Sequence, residues 1–161
     1  MKTLRHILPL LATLAMATVM HAATAPTTPV SIDSALRDAA KLTARNPDLQ
    51  AMRVAGASML PYFGEGSVLV VKAARAESLK PGMVVVYTSR FGETVAHRVI
   101  GGDAVNGWEV KGYNNATADT TRVTDANLIG TVYATLHASA ANPADAIGLG
   151  GVPVAMAAPA R

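Results

Sequence analysis

Apolar residues near the start of the chain, after a Thr/Pro-rich stretch at 24–30, follow a helical spacing. In SIDSALRDAAKLTAR (31–45) they recur at intervals of three and four residues, which places them on one face of a helix. Ser31 is a favoured N-cap residue, and Asn46 ends the helix because a residue before proline avoids the helical conformation. The pattern predicts a short N-terminal helix. Its expected apolar face consists of Ile32, Ala35, Leu36, Ala39 and Leu42.

From Met52 onward the apolar residues instead form short runs, rich in Val, Ile, Thr and Tyr and bounded by Gly, Pro or Asn. Such runs are typical of β-strands. The loop SRFG (89–92) and the dipeptide Asn106-Gly107 are hairpin signals, which favour antiparallel neighbours. The chain is therefore predicted to be mainly β. The predicted strands lie at about 51–56, 67–73, 83–88, 94–100, 107–112 and 129–137.

Residues 1–23 have the composition of a signal peptide or membrane anchor. Lys2 and Arg5 precede an apolar stretch from Ile7 to Met20, and small residues follow it. This stretch is shorter than the roughly 20 apolar residues that a spanning helix needs. We therefore expect export followed by cleavage rather than a retained anchor, and a location in the periplasm or on a membrane facing it.

The rest of the chain divides by composition into three parts. A Thr/Pro linker at 24–30 precedes a β domain with its leading helix at 31–138. The tail at 139–161 is dominated by Ala, Gly and Pro and has no clear hydrophobic period. Such composition predicts a loosely ordered tail.

Charge and composition limit the classes of partner and site. The chain has 14 Lys and Arg against 11 Asp and Glu, and two of the basic residues lie in the N-terminal segment. No basic cluster with interleaved aromatic residues remains to follow a phosphate backbone, so we expect no nucleic-acid partner. The lack of cysteine excludes disulfides and thiolate sites. No His, Asp or Glu cluster has metal-ligand spacing, so we expect no metal and no cofactor.

Ser58, in the stretch GASMLPYFGEGSVLVV (56–71), is the first candidate for chemistry. A serine hydroxyl is a weak nucleophile that needs a positioned base, typically histidine or an unprotonated lysine. Two of the four histidines lie in the N-terminal segment and His137 closes the last predicted strand, which leaves His97. Each residue also has a structural interpretation, Ser58 as part of a turn and His97 as a half-buried strand residue.

The polar loop KGYNNATADTTR (111–122) offers Asp119 and Thr117 as groups that could orient an imidazole. On its own, this loop is also typical of an Asx-rich turn. Lys72 is an alternative base, although strand geometry favours a solvent-exposed position for it. The residues alone leave the catalytic and the structural interpretations open.

Four blocks of sequence, taken together in their order and spacing, resemble type I signal peptidases and their relatives. GASMLPYFGEGSVLVV is similar to the box around the nucleophile, and LKPGMVVVY (79–87) to a strand that follows it. AHRVIGGD (96–103) is similar to the box that holds the general base, and KGYNNATAD (111–119) to the last box. Bacterial members usually have lysine as the base, whereas archaeal and endoplasmic-reticulum members have histidine. These peptidases share a β-fold with the self-cleaving repressors of the DNA-damage response.

The resemblance implies a fold and a set of catalytic roles. The fold is a twisted, partly closed antiparallel β-structure. Ser58 takes the place of the nucleophile and His97 that of the base, in the histidine variant. Asp119 matches the acidic residue that orients the base, and the hydroxyl of Thr117 could hold the imidazole. The backbone N–H of Ser58 would stabilise the developing oxyanion.

Two positions depart from the family pattern. Tyr113 stands where the last box usually has its first aspartate. Gly56 stands where many members supply a second oxyanion donor from a serine hydroxyl, and loss of such a donor can cost about 10² to 10³ in rate. Arg98 alternates with His97 along the strand and is expected on the opposite face, as a salt-bridging group.

The leading functional hypothesis is an exported serine endopeptidase resembling signal peptidase I, which cleaves peptides after small residues. Its partner is an extended peptide or preprotein, with a membrane surface as a further partner. The alternative is a catalytically weak or inactive peptide-binding module of the same fold. Repressor-type self-cleavage is a weaker option, because the only Ala-Gly pair, Ala55-Gly56, lies inside the nucleophile box.

The peptide is expected to add as a strand beside the segments around 52–57 and 81–88. The residues expected to contact it are Gly56, Ala57, Met59, Pro61, Val84 and Val86.

Overall fold

The computed structural model describes residues 24–139 and the strand at 154–157. The predicted N-terminal helix is present as α1, Ile32–Arg45. Its N-cap is Ser31, whose hydroxyl accepts a hydrogen bond from the Ser34 N–H at 3.3 Å. Asn46 follows the helix in an extended conformation, as expected for a residue before proline.

Six antiparallel strands form the body of the domain, which confirms the mainly-β fold class. Their order along the chain is the predicted one, with bounds that differ from the prediction by at most three residues. The strands are β1 (Leu49–Gly56), β2 (Ser67–Lys72), β3 (Val84–Thr88), β4 (Thr94–Asp103), β5 (Gly107–Lys111) and β6 (Leu128–His137).

These six strands make one sheet in the order β5-β4-β3-β6-β2-β1, which curls so that β4 and β1 come to flank the same gap. A seventh strand, β7 (Val154–Ala157), lies in that gap. It runs parallel to both neighbours, with Ala157 opposite Gly56 and Met156 opposite Val95. The prediction of a loosely ordered tail is therefore wrong for these four residues, which find an unoccupied backbone edge on β1. The rest of the tail after Ser139, and residues 1–23, lie outside the described residues.

The apolar core lies on both faces of the sheet, which explains why β2 has no polar alternation. Leu69 and Val71 point into a cluster of buried apolar residues that includes Met59 and Phe63, from the segment that follows Ser58. On the opposite face Val68 and Val70 pack against α1. Four of the five residues on the predicted apolar face of α1 are buried there, whereas Leu42 is 40% exposed.

A third cluster packs β3 and β4 against β5. It includes Val85, Tyr87, Val95 and Val110, together with Trp108, the single tryptophan. No helix in the described part of the chain has the length and apolar character needed to cross a bilayer.

Candidate active site

The turn that carries Ser58 begins where β1 ends. Gly56 has a φ of 93°, in the left-handed region that favours glycine because it lacks a Cβ. The chain then folds back on itself, with the Leu60 N–H donating to Ala57 O at 3.2 Å and the Tyr62 N–H to Met59 O at 3.0 Å. Met59 is fully buried and anchors the turn. The backbone conformation explains why glycine stands at position 56, where many members of the resembled family have serine.

His97 lies in the middle of β4, opposite Val85 of β3. Its Nε2 is 2.8 Å from the Ser58 hydroxyl oxygen, although the two residues are 39 positions apart in the chain. Both side chains are buried, Ser58 at 0% and His97 at 2% exposure. The structure therefore brings together the two residues that the sequence indicated as nucleophile and base.

Asp119 approaches the imidazole from the other side. Its Oδ2 is 2.5 Å from His97 Nδ1, and its own N–H donates to Val110 O of β5 at 2.9 Å. An ionised carboxylate can only accept, so Nδ1 carries the proton in this contact. Nε2 is then the acceptor for the Ser58 hydroxyl, which is the tautomer that a general base needs.

Tyr87 is a member of this network that the sequence analysis missed. Its hydroxyl donates to the same Asp119 oxygen that His97 contacts. Burial raises the pKa of Tyr87, and the hydrogen bond to the Asp119 carboxylate raises it further, so the phenol stays protonated and remains a donor. The available signal was the predicted hairpin loop SRFG (89–92), which makes the strand that contains Tyr87 a neighbour of the strand that contains His97.

The loop after β5 fixes the serine turn through its backbone. The Asn114 N–H donates to Ser58 O at 2.7 Å, and the Asn114 side-chain amide donates to Ala57 O at 3.3 Å. Gly112 permits this approach, since a Cβ there would lie 2.8 Å from Ser58 O and 2.9 Å from Ser58 Cβ. The block KGYNNATAD thus supplies the acid and also holds the nucleophile.

Tyr113, where the family pattern has aspartate, packs between two other side chains. The Arg98 guanidinium lies 4.2 Å from the centre of the Tyr113 ring, and the Tyr62 ring lies 4.0 Å away on centroids. Within residues 24–139 no carboxylate pairs with Arg98, so the expected salt bridge is absent; a cation–π contact takes its place. This stack joins the loop after β5 to the turn that contains Ser58.

Beside the imidazole and the acid lies a cavity of about 440 Å³. His97, Asp119 and Thr117 line it, together with the β3–β4 loop around Phe91. Thr117 is exposed in this cavity. The expectation that its hydroxyl holds the imidazole is wrong. Both ring nitrogens of His97 already have partners, in Ser58 and Asp119, so no position is left for the Thr117 hydroxyl.

The residues expected to contact a peptide fall into two groups. Gly56, Ala57 and Pro61 are exposed around the serine turn. Met59 and Val86 are fully buried in one core cluster, against which half-buried Val84 packs, so Met59 and Val86 support the site from below.

The edge of β3 is also closed to a peptide. β3 is hydrogen-bonded to β4 on one side and to β6 on the other. A strand cannot be added beside residues 85–87, within the expected segment 81–88, because both edges of β3 are paired there. β7 pairs instead with the edge of β1 that faces away from β2.

A second serine–histidine contact offers an internal comparison. The Ser67 hydroxyl lies 3.4 Å from His137 Nδ1, a long distance for a hydrogen bond. No carboxylate in the described part of the chain pairs with His137. Lys72, the alternative base, is exposed at the end of β2. Among residues 24–139 no group of His, Asp and Glu could hold a metal ion.

Comparison with known families identifies a family for this chain. The family model described as Peptidase S24-like matches residues 16–133, which include the serine turn, β4 and the loop with Asp119. No curated protein and no solved structure matches the chain.

Proposed function

Because the chain belongs to the peptidase S24-like family, a serine peptidase fold, we propose that it is an exported endopeptidase of the signal peptidase I type. It cleaves extended peptides after small residues and uses histidine as the base. The observation that carries this proposal is the continuous chain of contacts from Ser58 through His97 to Asp119, at 2.8 Å and 2.5 Å.

The reaction follows from this geometry. Ser58 Oγ attacks the scissile carbonyl while its proton passes to His97 Nε2, and Asp119 stabilises the imidazolium that forms. His97 then donates the proton to the leaving amine, which departs and leaves an acyl ester on Ser58. A water molecule, deprotonated by His97, hydrolyses this ester and restores the serine.

The developing oxyanion needs donors that are in place before the substrate arrives. The Ser58 N–H has no acceptor within residues 24–139, and the contacts of Asn114 hold the turn that presents it. Gly56, with no hydroxyl, adds no second side-chain donor. This supports a peptidase whose oxyanion stabilisation comes from the backbone.

We place the enzyme in the periplasm, or on a membrane facing it, on the basis of the composition of residues 1–23. The substrate proposed on this basis is an extended peptide or a preprotein close to a membrane surface.

The test is hydrolysis of an unstructured peptide that contains Ala-x-Ala. The full chain should cleave it, and an acyl-enzyme should be detectable by mass after rapid acid quenching. Ser58→Ala and His97→Ala should each lower the rate by at least about 10³, because neither partner works alone.

Ser67→Ala is the matched control. Like Ser58, Ser67 is a buried serine in contact with a histidine, but it has no acid behind it. Its loss should leave kcat within about threefold, as expected for a serine outside the reaction. Equal activity in the native chain and in both Ser58→Ala and His97→Ala would contradict the proposal.

One observation favours a second candidate, a peptide-binding module without efficient catalysis. Ser58 is 0% exposed, although a nucleophile has to meet its substrate. In this case the folded chain would bind the Ala-x-Ala peptide without cleaving it, with the same affinity in the native and Ser58→Ala chains.

A further inference from the structure

The edge of β1 that faces away from β2 ends at the serine turn. Residues 49–53 pair with β2, whereas residues 53–56 pair on the opposite edge with β7. Without β7, the N–H and C=O groups of this edge would be unpaired, and such an edge is a template for an added strand. The last paired residue, Gly56, is two positions before Ser58.

The gap beside this edge has a second wall. β4 contacts β7 at Val95, two residues before His97. One wall, β1, leads to the nucleophile Ser58, and the other wall, β4, carries the base His97. A segment that lies between them is held by backbone hydrogen bonds, which do not depend on one particular sequence.

The direction of β7 is consistent with the rest of the sheet. β1, β6 and β4 run in the same direction. β2 lies between β1 and β6 and is antiparallel to both, and β3 lies between β6 and β4 and is antiparallel to both. A strand that follows β6 and runs parallel to it needs a crossover of a dozen or more residues. The chain has 16 residues between His137 and Val154, which is sufficient.

From these observations we infer that the gap between β1 and β4 is the peptide groove and that Val154–Ala157 is its ligand within the same chain. The segment occupies the groove as a parallel strand and competes with any peptide that enters it. This inference rests on the proposed function for the identity of the groove, and it adds the direction of the bound peptide and the means of its regulation. The C-terminal segment inhibits the site until a peptide displaces it.

Binding can be measured without catalysis. Two shortened chains are made, both with Ser58→Ala: one ends at Pro153 and lacks β7, and the other ends at Ala158 and keeps it. The probe is a fluorescent peptide with the sequence of residues 152–158, VPVAMAA, and the readout is anisotropy. A tethered ligand has an effective concentration of about 1 mM, so the chain that lacks β7 should bind the probe at least about tenfold more tightly.

Equal affinity of the two chains, or no binding to a folded chain that ends at Pro153, would overturn the inference.

Since folding could depend on β7, a second variant keeps the full length. Ala155→Pro with Met156→Pro removes two backbone donors from the strand and should likewise increase probe binding. A peptide of the same composition in scrambled order reports the contribution of side chains. Amide exchange should become faster, in the variants that lack the docked strand, at those residues among 53–56 whose N–H groups face β7.

The proposed function and this inference can fail separately. A difference in binding between the two shortened chains, with no hydrolysis by a chain that keeps Ser58 and ends at Pro153, would remove the peptidase proposal and keep the docked segment. Hydrolysis at the same rate with and without β7 would keep the peptidase and remove the inhibition.

Discussion

The two sides of the His97 imidazole are built differently. On the Ser58 side the nucleophile is fully buried and held by backbone contacts, above all the bond from the Asn114 N–H to Ser58 O. On the Asp119 side the acid is 15% exposed beside a cavity, and its orientation depends on the hydroxyl of Tyr87. The difference indicates that backbone geometry positions the attacking atom, whereas side chains position the acid. Substitutions on the two sides should therefore have different consequences.

The largest effect is expected where the two sides meet. Ser58→Ala, His97→Ala and the double variant should all lose activity by about 10³ or more, and the double variant should be no worse than either single one. The reason is that nucleophile and base act as a unit. Steady-state hydrolysis of the Ala-x-Ala peptide measures this. Additive losses would show that the two residues act independently.

On the acid side, Asp119→Asn should lower kcat by about 10³ to 10⁴ because the amide no longer fixes the tautomer with the proton on Nδ1. Within residues 24–139 no hydrogen bond joins Asp119 to the serine turn, so the structure of the turn should be unchanged. The kinetic comparison is with the native chain, and circular dichroism checks the fold. Full activity of Asp119→Asn would mean that the acid has no catalytic part.

On the serine side, Gly112→Ala should affect stability as well as activity. The added Cβ would lie closer than 3.0 Å to both Ser58 O and Ser58 Cβ, so the turn or the loop has to shift. We expect a loss of about 1–3 kcal/mol in unfolding free energy and a loss of about 10- to 100-fold in kcat. Urea unfolding and kinetics measure the two effects. Gly101→Ala is the matched control, because the nearest atom to the added Cβ lies at an ordinary distance of 3.7 Å. Gly82→Ala is not suitable, because the positive φ of Gly82 would add backbone strain.

A smaller effect is expected from Tyr87→Phe. The ring keeps its place in the core while Asp119 loses one hydrogen-bond donor, and a bond to a charged group is worth about 1.5–3 kcal/mol. Since water from the cavity can replace part of this, kcat should fall by about tenfold with KM unchanged. A change in KM alone would assign Tyr87 to the peptide site instead.

The smallest effect is expected from Thr117→Val, since the Thr117 hydroxyl has no ring nitrogen of His97 left to bind. Activity should stay within about twofold of the native chain, as for other exposed substitutions. A loss as large as that of Tyr87→Phe would show that the Thr117 hydroxyl takes part in the reaction, in addition to the groups on the Ser58 and Asp119 sides of the imidazole.

Much of the fold could be predicted because the local signals agree with the tertiary structure. Ser31, the Asn46-Pro47 pair and the short apolar runs determine local conformation, and the structure keeps them all. The strand β7 could not be predicted in this way. Four residues of a tail rich in Ala, Gly and Pro carry no strand signal, and their conformation depends on an edge about 100 residues earlier in the chain.

For the candidate site, sequence reasoning found the residues that do chemistry and missed those that position them. Ser58, His97 and Asp119 were distinguished by residue type and order. Tyr87 was missed because a tyrosine in an apolar strand has the pattern of a core residue, and it is one, with only its hydroxyl directed at the acid. The role of Gly112 depends on a contact between loops 54 residues apart, which no local pattern shows.

Trp108 gives these experiments a built-in reporter. It is the single tryptophan of the chain, it is buried in β5, and its indole N–H donates to Ala76 O at 2.8 Å. Its emission should shift to longer wavelength when the domain unfolds and this indole meets water. Trp108 belongs to a core cluster that does not include Ser58, His97 or Asp119. Every variant of the site can therefore be followed by intrinsic fluorescence, without a label and in the same cuvette as the assay.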